Sequence, residues 1–231
     1  MRACMHFPLL DDSPLMKQRP TTLVYKNGGY AIYHGKFPSE VHYSNGEWLK
    51  FENGEIVEVH TMEDIEAFAS SFAAEKHVNQ VYGSKPYTFH LAATRAVVAE
   101  FGLEGDIIPA AWLHDVVEDT KTPLSEIESL FGRNVAAYVN AVSGVGKTRK
   151  ERNESVYTKL AAYPRGVALK LADRIANTTH SKTHKHAVYH MYVDEYATFR
   201  GRLYSLMLWD AAVDKMWKQL DSIMEYNEAS K

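Results

Sequence analysis

The segment AAWLHDVVEDT, Ala110 to Thr120, decides how this chain is read. Ala110, Ala111, Trp112, Leu113, Val116 and Val117 form an apolar stripe that predicts a helix from about Ile107 to Glu118. The same segment carries His114, Asp115, Glu118 and Asp119. His114 and Glu118, and likewise Asp115 and Asp119, stand four positions apart, which sets all four along one side of the last helical turn. An acidic run at a helix end ordinarily faces water. Here three carboxylates adjoin an apolar stripe, where they repel one another and lose hydration, and a divalent cation is their natural counter-charge.

Working outward, two further segments carry polar residues where a helix has little use for them. In GVALKLADRIANT (166–178), Asp173 sits among Val167, Leu169, Leu171, Ala172 and Ile175. The structural reading of Asp173 is a buried carboxylate paired with a distant arginine or capping a neighbour, because buried polar groups find partners. Its neighbour Arg174 is expected to point elsewhere on the helix, while Asn177 follows one turn later on the face of Asp173. In PYTFHLAATRAVV (86–98), His90 falls in the first turn of an amphipathic helix. Alone it reads as a hydrogen-bonded core histidine more often than as a ligand.

The remaining sequence sets the frame. At 231 residues and 45% hydrophobic content the chain is long enough to bury a sizeable core. Its single cysteine, Cys4, excludes an intrachain disulfide and a cysteine-based zinc cluster, so metal chemistry must come from His, Asp and Glu. A formal charge of −3 gives no reason to expect nucleic acid as a partner, and no stretch reaches the roughly 18 apolar residues of a membrane span. A cytoplasmic protein with a small-molecule partner, no nucleic acid and no membrane is expected. No pattern specifies an oligomeric state.

Residues 1–21, with Pro8, Pro14 and Pro20, read as an irregular lead-in. Residues 22–60 alternate short aromatic and β-branched runs (TTLVY, YAIYH, VHY, EWLKF, EIVEV) with KNGG, SNG and ENG turns, and predict a small antiparallel β-hairpin module of four or five strands, too small to stand alone. From Thr61 the pattern becomes helical, opened by the cap signal TMED. Helices are expected at about 88–101, at 107–118, from a Thr122 cap with Pro123 at the first helical position to Gly132, and at 134–142, 152–163, 166–179, 187–208 and 210–226. The fold class is therefore mainly α, a helical region over 61–231 behind a β module.

Taken together, PYTFH, LHDVVEDT and KLADRIAN resemble the HD superfamily of metal-dependent phosphohydrolases. The resemblance is to the hydrolase domain of the RelA/SpoT alarmone family and its small stand-alone relatives of the metazoan SpoT homologue type. It covers about residues 70–180 well and the remainder loosely, with TPLSEIESLFGRNVAAYV and MYVDEYATFR also similar to family elements. It implies an HD helical bundle with a divalent metal on His90, His114, Asp115 and Asp173. It further implies that Glu118 and Asp119 position and deprotonate the attacking water, and that Asn177 contacts the nucleotide. Two imidazoles and two carboxylates suit Mn²⁺ or a similar borderline-hard ion. The implied reaction is release of pyrophosphate from the 3′ position of ppGpp or pppGpp. Alternatives are an HD-type nucleotidase or phosphodiesterase acting on another nucleotide, and a catalytically silent metal-binding regulatory protein.

The chain departs from the alarmone pattern at QVYGSKPY, where the long enzymes carry an Arg-Lys pair ahead of a turn one residue longer. Val81 and Tyr82 stand there, and Tyr82 is expected to stack on the base and Lys85 to meet a phosphate. Thr178 and Thr179 replace the family's Met-Arg after Asn177. SGVGKT (143–148) ends like a P-loop but lacks the first glycine, Ala141 standing in its place, and no strand is expected before it. Lys147, Arg149, Lys150 and Arg152 are placed at the rim of the pocket or on a solvated loop. His180, His184, His186 and His190 have helical ligand spacing but no acid before Asp194, and read as surface histidines; His77 reads as structural or as a support for the ligands.

Overall fold

The computed structural model describes residues 21–24, 30–33, 38–42, 48–52, 55–207 and 210–226. The lead-in over 1–21 lies outside these residues except for Thr21, as do the KNGG and SNG turns and Asn53-Gly54. The chain falls into two compact units, Met1–Ile65 and Glu66–Lys231.

In the first unit, β1 (Thr21–Val24), β2 (Tyr30–Tyr33), β3 (Pro38–His42), β4 (Trp48–Glu52) and β5 (Glu55–His60) form an antiparallel meander in sequence order. Period-2 alternation shows in the register. Leu23, Ala31, Val41, Leu49 and Val59 stand opposite one another, one apolar residue from each strand. Ala31 and Val41, within that row, are buried. The facing pair His42 and Trp48 stack with ring centroids 5.4 Å apart.

Helix α1 (Met62–Lys76) opens on a reciprocal cap, with the Asp64 N–H donating to Thr61 Oγ1 at 3.2 Å and Thr61 Oγ1 donating to the Asp64 carboxylate at 2.7 Å. A two-residue ladder follows, β6 (Val81–Tyr82) with β7 (Lys85–Pro86). Then come α2 (Thr88–Glu100), α3 (Ile107–Leu113), α4 (Val116–Asp119), α5 (Leu124–Val142), α6 (Arg149–Ala162), α7 (Gly166–His184), α8 (His186–Leu203), a 3₁₀ turn at Tyr204–Met207 and α9 (Ala211–Ile223). Helix α7 is the axis of this unit. Its residues from Gly166 to Leu169 and from Leu171 to Ala176 are all buried, and it packs against α2, α3, α5, α8 and α9. A helix buried almost all round must lie within a shell of neighbours, and any polar side chain it carries must be matched there. Around it, the Glu66 carboxylate accepts Arg95 Nε and Nη2 (2.6 and 2.8 Å) and Trp112 Nε1 (3.1 Å), tying α1 to α2 and α3.

Two expectations are corrected. The helix predicted over 107–118 is broken at His114-Asp115 into α3 and α4, where the His114 ring N–H takes the Ala111 carbonyl (2.9 Å) and Asp115 adopts φ −98°, ψ −8°. A side chain that competes for a backbone acceptor weakens the helical ladder at that point, and the bridge region is where the chain turns. Pro123 is extended (ψ 150°) and is itself the N-cap of α5, so the helix begins at Leu124, one position later than predicted; the Thr122 backbone N–H meets Thr120 Oγ1 at 3.1 Å. As expected, two helical stretches meet at Gly132 within the span of α5, because Gly132 is itself non-helical (φ 85°, ψ 166°), a backbone that suits glycine and interrupts the helix there. Elsewhere the ends move by a few residues: α6 begins at Arg149 because Thr148 and Glu151 form a capping box, and α7 runs on to His184.

Candidate functional site

Three elements bring the metal-ligating candidates together. His90 lies in the first turn of α2, His114 and Asp115 at the α3–α4 break, and Asp173 in the middle of α7. His90 Nε2 and His114 Nε2 are 3.2 Å apart. Asp115 Oδ2 lies 3.3 and 3.1 Å from these two nitrogens, and Asp173 Oδ1 lies 3.4 and 3.7 Å from them. His90, His114 and Asp173 are 3%, 1% and 7% exposed. The bond from His114 Nδ1–H to the Ala111 carbonyl fixes the tautomer of the neutral ring, so the Nε2 lone pair faces the cluster. The break in the helix therefore aims adjacent residues, His114 and Asp115, at one point, which a continuous helix would spread by about 100°.

Burial works against charge on both imidazoles, yet the carboxylates outweigh it. The His90 pKa is raised by Asp115 and Asp173, and the same two carboxylates push His114 up to about 10. Burial likewise opposes ionisation of the two aspartates; His114 and His90 nevertheless hold Asp115 well below the usual carboxylate range, and Lys170 with the imidazoles does the same for Asp173. Two imidazole nitrogens and two ionised carboxylate oxygens, with nitrogen–oxygen separations of 3.1–3.7 Å, form a donor set that fits a divalent cation.

Each of these two carboxylates has outer partners. Asp173 accepts Lys170 Nζ at 2.8 Å and Asn177 Nδ2 at 2.5 Å, while Asn177 Oδ1 accepts the Tyr82 hydroxyl at 2.9 Å. The Tyr87 hydroxyl lies 2.7 Å from Asp115 Oδ2 and 2.9 Å from Asp119 Oδ2. The Tyr87 ring stacks on buried His77, with centroids 4.6 Å apart, which makes His77 a support for that contact.

Glu118 and Asp119 flank the cluster but part company. Glu118 Oε2 accepts the Gly144 N–H at 2.5 Å, and Arg152 Nε stands 3.5 Å from its other oxygen. Asp119 turns to Tyr87. Burial raises both pKa values, assisted for each by repulsion from Asp115, so each binds a proton more tightly than a free carboxylate. Gly144 is needed at its place because a β-carbon there would meet the Cβ of Arg152 at 2.7 Å.

These groups line a cleft of about 220 Å³. His90, Asp115, Glu118, Asp119, Asp173 and Asn177 line it, together with Tyr87, Lys170, Arg149, Arg152, Asn153, Arg174 and Tyr192. Tyr82 and Lys85 are not among its lining residues. The Tyr82 ring is stacked on His90 (5.0 Å) with His180 4.8 Å away, and exposed Lys85 lies over Phe89. Of the four basic rim candidates, Arg149 and Arg152 reach the cleft, and Lys147 and Lys150 are not among its lining residues. Arg174, expected to point elsewhere, is 3% exposed and lines the same cleft, because α7 is enclosed on nearly every side. His180 and His184 stack on one another, His190 is exposed, and the side chain of His186 lies outside the described residues. SGVGKT follows a helix, as a P-loop does not. Sequence reasoning missed Tyr87, Lys170 and Tyr192; the signal for the first two was their i,i+3 spacing ahead of His90 and Asp173.

A family model described as HD domain matches residues 69–204, which hold the whole of this cluster. The chain belongs to the HD domain family. Over 115 residues this chain is 40% identical to a guanosine-3′,5′-bis(diphosphate) 3′-pyrophosphohydrolase of Aquifex aeolicus, covering 47% of this chain and 16% of that protein. It is 35% identical over 115 residues to the zebrafish (Danio rerio) enzyme of the same name, MESH1, covering 46% of this chain and 63% of the relative. The matched region thus spans less than two thirds of either relative. The fold is also that of a solved metazoan orthologue of SpoT, with TM-score 0.57 and 24% identity over 72% of this chain and 97% of the other. Among the described residues no helix is long and apolar enough to cross a membrane.

Proposed function

We propose that this chain is a metal-dependent (p)ppGpp 3′-pyrophosphohydrolase, with one Mn²⁺ on His90, His114, Asp115 and Asp173. The observation that carries the reading is the juxtaposition of that N₂O₂ cluster with two further carboxylates of raised pKa, Glu118 and Asp119, in one cleft. The names of the relatives above support the choice of substrate. The absence of any cysteine other than Cys4 and the nucleotide substrate are in keeping with a cytoplasmic site of action.

A divalent cation held there supplies Lewis-acid polarisation of a phosphoryl oxygen and acidifies water. The chain's own residues do the rest. Lys170 and Asn177 fix the rotamer of Asp173, and Tyr87 fixes that of Asp115. Asp119 and Glu118, being stronger bases than free carboxylates, accept the proton of the attacking water and return one to the leaving oxygen. Water adds at the 3′ phosphorus, the bond from phosphorus to the ribose 3′ oxygen breaks, and ppGpp gives GDP and intact pyrophosphate.

The test is to incubate the Mn²⁺-loaded protein with a nucleotide panel and identify products by anion-exchange chromatography. GDP and pyrophosphate from ppGpp are expected. Early orthophosphate without pyrophosphate, or inertness toward ppGpp beside rapid turnover of another nucleotide, would move the protein to the nucleotidase or phosphodiesterase class.

A further inference from the structure

Asp119 ends α4, a helix of four residues, and a single helical turn has no stability of its own. What holds Asp119 in place must therefore come from outside α4. Glu118, on the same turn, has its own tie to the Gly144 N–H. For Asp119 the ties converge on Gln80, a half-buried residue between α1 and β6. Gln80 Nε2 donates at 3.3 Å to the Asp119 carbonyl, one of the helix-end carbonyls that no intrahelical N–H reaches. The Gln80 carbonyl accepts the Tyr87 N–H at 3.2 Å, and the Tyr87 hydroxyl lies 2.9 Å from the Asp119 carboxylate.

His77 sets Gln80 in turn. The Gln80 N–H donates to the His77 carbonyl at 2.9 Å, and His77 Nδ1 donates to Gln80 Oε1. That second bond turns the amide oxygen toward the imidazole and the amide nitrogen toward the Asp119 carbonyl, which can only accept. Yet His77 is 2% exposed and its Nε2 has no hydrogen-bond partner. An idle buried nitrogen costs stability, and a phenylalanine ring would fill the place under Tyr87 without that cost. What phenylalanine cannot supply is the Nδ1–H that orients Gln80.

We propose that Gln80, oriented by His77, is a positioning residue for Asp119: it holds the Asp119 backbone from one side while Tyr87 holds the carboxylate from the other. This rests on the hydrolase reading above and extends it to two residues that do not line the cleft. The end of α4 is fixed by that side-chain amide, and the proton-accepting oxygen of Asp119 is fixed with it.

Two variants of the full chain test this. Gln80→Met keeps the length of the side chain and loses both of its bonds; His77→Phe keeps the ring under Tyr87 and loses the Nδ1–H. The backbone bond from Tyr87 to residue 80 survives in each. Both variants should lower kcat for ppGpp about tenfold or more, the scale of a misplaced catalytic group, with KM and Mn²⁺ affinity within about twofold of wild type. His77→Phe should melt no lower than wild type, because it removes the idle Nε2, and a merely structural role would give the opposite. In an Asp119→Asn background neither substitution should lower kcat further by more than about twofold, since each acts through a group already disabled. Hydrogen–deuterium exchange reads the same hold without turnover. The Asp119 and Thr120 amides, bonded to the Asp115 and Val116 carbonyls at 2.8 and 3.1 Å, should exchange about tenfold faster in Gln80→Met, with α7 unchanged. Unchanged exchange at these two amides, kcat losses that multiply in full in the Asp119→Asn background, or a His77→Phe protein that melts below wild type would overturn the proposal. If ppGpp is not hydrolysed while exchange at Asp119 and Thr120 still accelerates, the hold on α4 stands and the choice of substrate fails.

Discussion

Tyr87→Phe is the sharpest test of how the ligand cluster is held. The substitution removes one oxygen and keeps the ring that stacks on His77, so the packing at 4.6 Å is preserved. The lost hydroxyl stands between two carboxylates, 2.7 Å from Asp115 and 2.9 Å from Asp119. A phenol has a single proton to give, so it serves one carboxylate fully while the other is served only if it is itself protonated. Asp115 is held in its ionised form and Asp119 is pushed toward its protonated one, which makes Asp115 the principal acceptor. Removing a hydrogen bond to an ionised carboxylate costs about 1.5–3 kcal/mol, or roughly 10- to 100-fold in an equilibrium constant. Losing a partner that orients a ligand falls in the same range, roughly 10- to 100-fold in metal affinity. Competition against a calibrated chelator should show Mn²⁺ affinity lowered by about that factor, with the helical circular dichroism of wild type. An affinity within about twofold of wild type would refute the idea that Tyr87 orients Asp115.

Other outcomes follow from the same contacts. Asp173→Ala should lose stoichiometric metal by elemental analysis, and by stranding Lys170 without its 2.8 Å partner should lower the stability of the metal-free form by about 3 kcal/mol in urea melts; retained metal would refute the ligand set. Glu118→Gln and Asp119→Asn should keep the metal while kcat falls about 10²-fold or more, and an unchanged kcat would remove these groups from proton transfer. His114, held protonated up to about pH 10 in the metal-free form, must shed its proton before its nitrogen can ligate. Metal affinity should therefore rise with pH between about 6 and 9, with protons released on binding, and calorimetry in buffers of different ionisation enthalpy should count them; a flat profile would contradict the charge state.

Much of this molecule is written locally. The alternation in YAIYH and EWLKF places strands that the antiparallel register then confirms, and the apolar run of GVALKLADRIA makes α7 a buried helix with Asp173 in it. His114, Asp115 and Asp173 stand out as ionisable groups among apolar neighbours, His90 joins them through the resemblance to the HD superfamily, and the structure gathers all four. Such features are legible because periodicity and burial mismatch depend only on nearby residues.

What the tertiary structure alone decided concerns partners far apart in sequence. The break at His114-Asp115 turns on a side chain taking a backbone carbonyl, a competition that spacing does not reveal. Tyr82 carries the aromatic face that suggests base stacking, but the fold sets that face against His90 and its hydroxyl on Asn177, 95 residues away. Arg174 is expected from the sequence to point elsewhere on the helix than Asp173, and only the enclosure of α7 by α8, bearing Tyr192, Glu195 and Phe199, makes it a buried cation on the cleft wall. The sequence by itself determined which residues needed partners. Which partner each received was decided by helix packing, since contacts between distant residues exist only once the core that brings them together has formed.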